Sequence, residues 1–306
     1  MPQVSVVIPT KGRPDLLMRA VGSALGQTLS DLEVIVVVDG DDPETIVRLG
    51  SVADRRLNII VNQTSLGAAM ARNVGARSAV GRWLAFLDDD DEWSLKKLEK
   101  QLSLVCADDT DVIVTCLTQF ITPFGQSIRP QKIYDNSVAL SEWLFDRRTL
   151  AGGESFIQTS SLVMPKPLFD KFQFRPAAGE HDDWDILLRA ASDGAKIVTA
   201  PESLVRCYME EQRTRVTGSH NLEQSLEWAK ASKAIITPRA YSGFCLTVVA
   251  QRARMRGRVD DFIRLLWLAC RYGAPTAMQL LIYFAIWLLP VSARRKIRGF
   301  AVTRER

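Results

Sequence analysis

Short apolar runs, mostly β-branched, alternate with segments of helical period through the first hundred residues of this chain. Residues 4–8 (VSVVI) form a β-rich run that Pro9 ends, and residues 15–25 repeat apolar positions at helical spacing. Residues 34–38 and 57–61 predict a second and a third buried strand. Residues 67–79 predict a helix rich in Ala and Arg, and 83–87 (WLAFL) a further buried strand. Residues 95–105 predict an amphipathic helix with Leu95, Leu98, Leu102 and Val105 on one face. Strands that alternate with helices imply a parallel sheet with right-handed crossovers. Continuously apolar strands imply that both sheet faces are covered.

After about residue 110 the pattern loosens. Residues 111–115, 160–164 and 196–199 read as strands, 182–192 as a helix, and 122–136 as a loop or hairpin. From residue 219 onward the chain reads as helical throughout. The expected organisation is an α/β region over 1–218 and a helical region over 219–306. Within the latter, 262–270 and 278–291 are strongly apolar. The second of these, about fourteen residues, falls short of the ~20 that a membrane span needs. It runs into Arg294, Arg295, Lys296 and Arg298. Apolar helices beside a basic cluster fit an in-plane anchor on an anionic bilayer. A soluble helical bundle, a dimer interface, and a span extended back through Gly273 and Pro275 are the alternatives.

Composition changes this picture little. The 306 residues are 47% hydrophobic and 24% charged, an ordinary globular balance. A net charge of +4 gives no argument for a nucleic-acid partner. Cys106, Cys116, Cys207, Cys245 and Cys270 are scattered and form no CxxC pair, which speaks against a disulfide framework or zinc site and for a reducing compartment. Met1-Pro2-Gln3 runs directly into a strand without a basic region or cleavage site, so the expected location is cytoplasmic.

The chemistry concentrates at Asp88-Asp89-Asp90-Asp91, which follows the strand 83–87 directly. The C-terminal edge of a parallel sheet is where ligands bind. Four adjacent carboxylates repel, and burial raises their pKa unless a cation is present. A hard ion such as Mg²⁺ or Mn²⁺ with a phosphate-bearing substrate resolves that conflict, whereas a solvated acidic turn is the bland alternative. Asp39 ends another strand before Gly40 and can accept a hydrogen bond from a base or a ribose hydroxyl, or simply cap a turn. Arg72, in the small-residue helix LGAAMARNVG, places a cation beside the acids or else makes an ordinary surface ion pair. Farther on, EHDDWDILLR offers Asp182 or Asp183 as a helix N-cap with Asp185 at the third turn position. Trp184 follows as a stacking platform or a core aromatic. Gln158-Thr159-Ser160-Ser161 reads as lining a cleft ahead of the strand.

In their order and spacing, VSVVIPTKGRP, LEVIVVVDGDD, SLGAAMARNVGARSAVGRWLAFLDDDDEW and EHDDWDILLRA resemble the family 2 inverting glycosyltransferases, nucleotide-sugar enzymes of the GT-A fold. The resemblance covers about residues 1–210. It implies a three-layer α/β sandwich with a mostly parallel central sheet and, here, a C-terminal helical appendage. It also implies that Pro9, Thr10 and Asp39 border the nucleobase and ribose, and that Arg72 is the base- or phosphate-side arginine. Asp88-Asp89-Asp90 overlays the family's DxD motif, with Asp88 and Asp89 facing ribose and sugar and Asp90 holding Mg²⁺ or Mn²⁺ between the phosphates. Asp91 has no family role and stands either as support behind the metal-holding acids or as a cap for the next helix. Asp183 takes the place of the base that deprotonates the acceptor. Asp182 and Trp184 fall near the acceptor, and Arg213 and Arg215 in a loop closing over the donor. Expected partners are a nucleotide sugar, a glycan or lipid-linked acceptor, and an anionic membrane surface on the cytoplasmic side. Two other readings stand beside this one. A sugar-phosphate nucleotidyltransferase would want a richer Gly loop than PTKGR, and a degenerate nucleotide-sugar-binding scaffold would not need Asp90 and Asp183.

Overall fold

The computed structural model describes residues 2–150, 154–209, 221–290 and 293. They fall into two compact units, one from 2–135 with 157–209 and the other from 136–150 with 154–156, 221–290 and 293.

The first unit opens as the pattern predicts: β1 (Val4–Thr10), α1 (Pro14–Leu25), β2 (Leu32–Asp39), α2 (Pro43–Gly50), β3 (Leu57–Asn62), α3 (Ala68–Ser78) and β4 (Trp83–Phe86). The intervening α2 is capped by Asp42, whose carboxylate accepts from the Thr45 amide at 3.2 Å. There follow β5 (Asp91–Trp93), α4 (Lys97–Leu102), β6 (Val112–Thr122) and β7 (Gly125–Arg129). The chain then makes α5 (Leu140–Phe145) in the second unit and returns to the first as β8 (Val163–Pro165), α6 (Lys166–Phe172), α7 (Asp182–Ser192) and β9 (Lys196–Tyr208). All nine strands join one sheet in the order β3-β2-β1-β4-β8-β6-β9-β5, with β7 paired to β6. β1, β2, β3, β4, β6 and β9 run one way, while β5, β7 and β8 run against them.

Several expectations change. β3 is an edge strand with Ile59 and Val61 exposed, not a buried one, because only β2 pairs with it. The helix expected over 95–105 is a six-residue turn, and its Leu95 is exposed. Lys97, polar in the pattern, is fully buried with its ammonium 4.0 Å from the Trp93 ring centroid, and burial pulls its pKa down to about 8. Residues 160–164 hold a 3₁₀ turn at Thr159–Ser161 ahead of the short β8.

The second unit continues with α8 (Leu222–Ala231), α9 (Pro238–Gly243), α10 (Ala250–Arg256), α11 (Val259–Tyr272) and α12 (Ala277–Leu288). A π-helical stretch, Phe244–Val249, links α9 to α10. Gln279 is buried, closes the capping box of α12, and donates to Asp146 Oδ1 at 2.8 Å. No helix among the described residues is long and apolar enough to cross a membrane.

The helix α3 lies close on β1 and β2 because Gly75 has no side chain: a Cβ there would come within 2.5 Å of Val7 Cγ1 and 3.0 Å of Val37 Cγ2. At Gly22 on α1 the same atom would meet nothing within 4 Å. The two glycines therefore respond with opposite sign in urea unfolding. Gly75→Ala loses about 1–2 kcal/mol to overpacking, and Gly22→Ala gains about 0.5–1 kcal/mol from helix propensity.

Candidate functional site

The parallel strands β2, β1 and β4 end side by side, and the loops that follow them are tied together. At the end of β1, the Thr10 hydroxyl donates to Asp89 Oδ2 at 2.7 Å. Arg13, in the following loop, forms ion pairs with Asp89 at 2.5 Å and Asp90 at 3.3 Å. Pro9 is buried within β1, opposite Val37 of β2. Arg19, on α1, donates to the main-chain oxygen of Asp90 at 2.8 Å and lies 4.0 Å from the Tyr208 ring centroid.

Asp39, at the end of β2, is buried, and donors occupy both of its oxygens. Asn62 Nδ2 and Ser65 Oγ each lie at 2.8 Å, with the amides of Leu66 at 2.9 Å and Gly67 at 2.8 Å. Gly67 presents that amide with φ 86°, a conformation that favours glycine. Burial opposes ionisation of Asp39, but these donors outweigh it and hold its pKa below the usual value. Asp39 thus shapes the wall at the sheet edge. A ligand contact to its carboxylate requires a loop donor such as Asn62 or Ser65 to turn away.

The four acids have four distinct settings. Asp88 is about a third exposed and accepts from Arg72 at 2.6 Å. Asp89 is buried beneath Arg13. Burial raises its pKa to about 6, with Arg13 and Thr10 opposing the shift. Asp90 is about a quarter exposed at the rim. Asp91 does not cap a helix: it opens β5, buried opposite Cys207. It accepts from Ser160 Oγ at 2.6 Å and Gln158 Nε2 at 3.3 Å. Burial, then the charges of Asp88 and Asp90, push it up to about 8. Residues 158–161 brace the acids from below instead of lining an open cleft. Thr159, Ser160 and Ser161 are buried, and Ser160 also accepts from the Asp88 amide at 3.0 Å.

Arg72 joins this edge to α7. Its guanidinium is 7% exposed and bonds Asp88 Oδ1 at 2.6 Å and Asp182 Oδ2 at 2.7 Å, with the Phe174 ring 5.3 Å away. Burial alone would lower its pKa, but the two carboxylates override that and raise it. His181 occupies the N-cap position of α7 without a side-chain capping bond, so Asp182 and Asp183 fall in the first turn. Helix-terminal amides favour negative charge there. Burial raises both acids. Arg72 pulls Asp182 back, while the neighbouring Asp182 pushes Asp183 further up. Trp184 stacks on His181 with centroids 5.3 Å apart. Asp185 faces away and pairs with Arg189 at 2.7 Å.

The structure therefore brings Thr10, Arg72, Asp88, Asp89, Asp90, Asp182 and Asp183 into one cluster. Asp39 is tied to the neighbouring loop. Arg213 and Arg215 lie outside the described residues. Arg13 and Ser160 carry more of the geometry than their sequence context indicated; a basic loop, Lys11-Gly12-Arg13, directly after a buried strand was the available signal for Arg13. Among the described residues, no three Asp, Glu, His or Cys side chains converge as a ready-made cage. The exposed oxygen donors of Asp88 and Asp90 nonetheless fit a hard cation that completes its shell with phosphate oxygens and water.

Arg72→Ala leaves Asp88 and Asp182 facing each other without a counter-ion. The loss should be about 2–3 kcal/mol at neutral pH, below the ~3–5 of a fully buried pair because Asp88 reaches water. Asp182 and Asp183 have pKa values above the unfolded value of 3.8, so their ionisation weakens the fold as pH rises. The deficit of Arg72→Ala should accordingly shrink toward pH 4 and grow toward pH 7, as read from urea unfolding at both.

Comparison with known proteins gives three kinds of match. The sequence profile described as Glycosyl transferase family 2 matches residues 5–171. The amylovoran biosynthesis glycosyltransferase AmsB of Erwinia amylovora is 26% identical over 263 residues, covering 83% of this chain and 85% of AmsB. The UDP-Glc:alpha-D-GlcNAc-diphosphoundecaprenol beta-1,3-glucosyltransferase WfgD of Escherichia coli is 30% identical over 137 residues, 44% of this chain and 54% of WfgD. Among solved structures, the mannosyltransferase PcManGT of Pyrobaculum calidifontis, in complex with GDP-Man and Mn²⁺, superposes with a TM-score of 0.60. It is 18% identical, over 99% of this chain and 86% of its own. Residues 1–349 of S. aureus TarS with UDP-GlcNAc superpose with a TM-score of 0.59 at 15% identity, over 100% of this chain and 92% of that one. At such identities the structural likeness speaks to the fold, a GT-A-type α/β sandwich.

Proposed function

The chain belongs to glycosyl transferase family 2, and we propose that it moves a sugar from a nucleoside-diphosphate donor to a hydroxyl of a glycan or lipid-linked acceptor, with inversion. One observation carries this reading. Arg72 bonds Asp88 and Asp182 at once, so the acids at the end of β4 and the raised carboxylate of Asp183 share one site. Family membership sets the nucleotidyltransferase reading aside.

Inversion is a single displacement. The acceptor oxygen forms a bond to the anomeric carbon as the bond from that carbon to the diphosphate breaks. Asp183 takes the acceptor's proton, and its raised pKa suits a base working near neutral pH. Asp182, anchored by Arg72, fixes the first turn of α7 on which Asp183 sits. Trp184, stacked on His181, borders the acceptor side. Arg72 and Arg13 border the departing diphosphate and offset its charge. Asp90, with Asp88 nearby, would hold Mg²⁺ or Mn²⁺, which when bound supplies further neutralisation of the diphosphate. Pro9, Thr10 and the wall held by Asp39 border the nucleoside.

Relatives support the substrate classes. PcManGT was solved with GDP-Man and Mn²⁺ and TarS with UDP-GlcNAc, WfgD is named for a diphosphoundecaprenol acceptor, and AmsB for amylovoran biosynthesis. We take glycan assembly on a lipid carrier, at the cytoplasmic face of a membrane, as the setting in which this chain works; the diphosphoundecaprenol in the name of WfgD supports the lipid carrier.

Asp183→Asn should reduce transfer by ~10²–10⁴-fold while nucleotide affinity stays within about twofold. The wild-type rate should rise with pH through a limb above the ordinary carboxylate range, because the base acts only when deprotonated, and the variant should lose that limb. Product NMR should show the anomeric configuration inverted. Retained configuration, or a wild-type rate in Asp183→Asn, contradicts the assignment.

A further inference from the structure

We propose that the turn between α10 and α11, with the adjoining faces of α11 and α12, is a docking surface for an anionic bilayer. The inference rests on the membrane setting proposed above, but it concerns the second unit alone. Three exposed apolar side chains follow one another here: Met255 (70% exposed), Val259 (69%) and Ile263 (61%). Val259, Ile263 and Trp267 recur every four residues along α11, a single stripe that nothing among the described residues covers. On α12, Phe284 and Leu288 are likewise exposed.

Two contacts make these one patch. Arg254 Nε donates to the Trp287 carbonyl at 3.2 Å, bringing the end of α10 to the end of α12. The Phe262 ring packs on Phe284 and Trp287, with centroids 6.0 and 5.3 Å apart, fixing the start of α11 on the same end. Apolar side chains at that density on one end of a helical unit are rare on a surface that meets only water.

Charge selects the occupant. Arg254, Arg256 and Arg258 alternate with the apolar residues of the turn, and Gly257, at φ 67°, lets the chain reverse between them. Asp261 and Asp260 pair with Arg256 at 3.8 Å and Arg258 at 3.6 Å. Yet after residue 249 the sequence holds twelve Lys and Arg against three acids, in a chain whose whole balance is 39 against 35. Residues 1–249 are therefore net acidic, and the excess of positive charge lies in the sequence after them, with six of its twelve cations among the described residues. The sequence that follows the Leu288 end of α12 carries Arg294, Arg295, Lys296 and Arg298. Apolar side chains inside a basic surround match the interface of an anionic bilayer: lipid tails take the former and headgroup phosphates the latter. A second copy of this chain would bring the same positive surface against itself.

The test is sedimentation of the full chain with vesicles, either phosphatidylglycerol in phosphatidylcholine or phosphatidylcholine alone. Wild type should bind the anionic vesicles and not the neutral ones. Replacing Val259 and Ile263 by Ser, both exposed and so without consequence for folding, should weaken binding about tenfold. Arg256→Gln with Arg258→Gln should weaken it by a similar factor and reduce its salt dependence. Nucleotide binding should not change in either variant, which separates this surface from the proposed activity. Equal binding to neutral vesicles, or binding lost only on deletion of 291–306 and untouched by the Ser pair, overturns the proposal. So does concentration-dependent dimerisation that the Ser pair abolishes without any vesicle binding.

Discussion

The guanidinium of Arg72 is the constraint on which the site depends. It is buried, and it bonds a carboxylate from the end of β4 and one from the start of α7, the second of them 110 positions along the chain from Arg72. Without a cation there, Asp88, Asp182 and Asp183 would have to share a low-dielectric space, and protonation would be the easier outcome. With it, two distant elements are locked at hydrogen-bond distance, and of the two raised acids on α7 it pulls Asp182 back while Asp183 stays well above the usual value. Arg13 plays the parallel part on the other flank, where it neutralises Asp89 and reaches Asp90. The acidic run is thus spread between two cations and a hydroxyl brace, Ser160, which holds Asp91 below.

This arrangement explains why four consecutive aspartates can coexist at a sheet edge. Each faces a different partner: Asp88 an arginine on α3, Asp89 an arginine and a threonine after β1, Asp90 the rim, and Asp91 the 3₁₀ turn before β8. Asp88 and Asp90 are the two that reach solvent, and they are the ones we propose for a cation shared with phosphates. The same economy appears at Asp39, whose carboxylate organises the loop before α3 and so sets the N-terminal end of the helix that carries Arg72.

Much of the parallel half of the sheet was legible in the sequence because β1, β2 and β4 are buried on both faces, and burial writes a continuous apolar run. β3 misled because an edge strand keeps its β-branched residues while one flank meets water. The helix after β5 was overcalled: Leu95 and Val105 fit a helical period, but only Lys97–Leu102 is helical. Lys97 was unreadable, since no local rule predicts an ammonium buried under a tryptophan ring. The acids themselves were legible by their density. Their partners were not, because Arg13 to Asp89 and Arg72 to Asp182 are contacts of the folded chain, 76 and 110 positions apart. The 3₁₀ turn at Thr159–Ser161 hid for the same reason: Ser160 looks like a strand start until its two acidic neighbours are in place.

Calorimetry of nucleoside diphosphates against the wild-type protein and Asp90→Ala, with and without Mn²⁺, tests the central claim most directly. The account predicts that one nucleotide binds tightly only with the metal, and that Asp90→Ala abolishes the metal's contribution while the fold stays intact. Nucleotide binding that is indifferent to both Mn²⁺ and Asp90, or absent for every nucleotide, would contradict it.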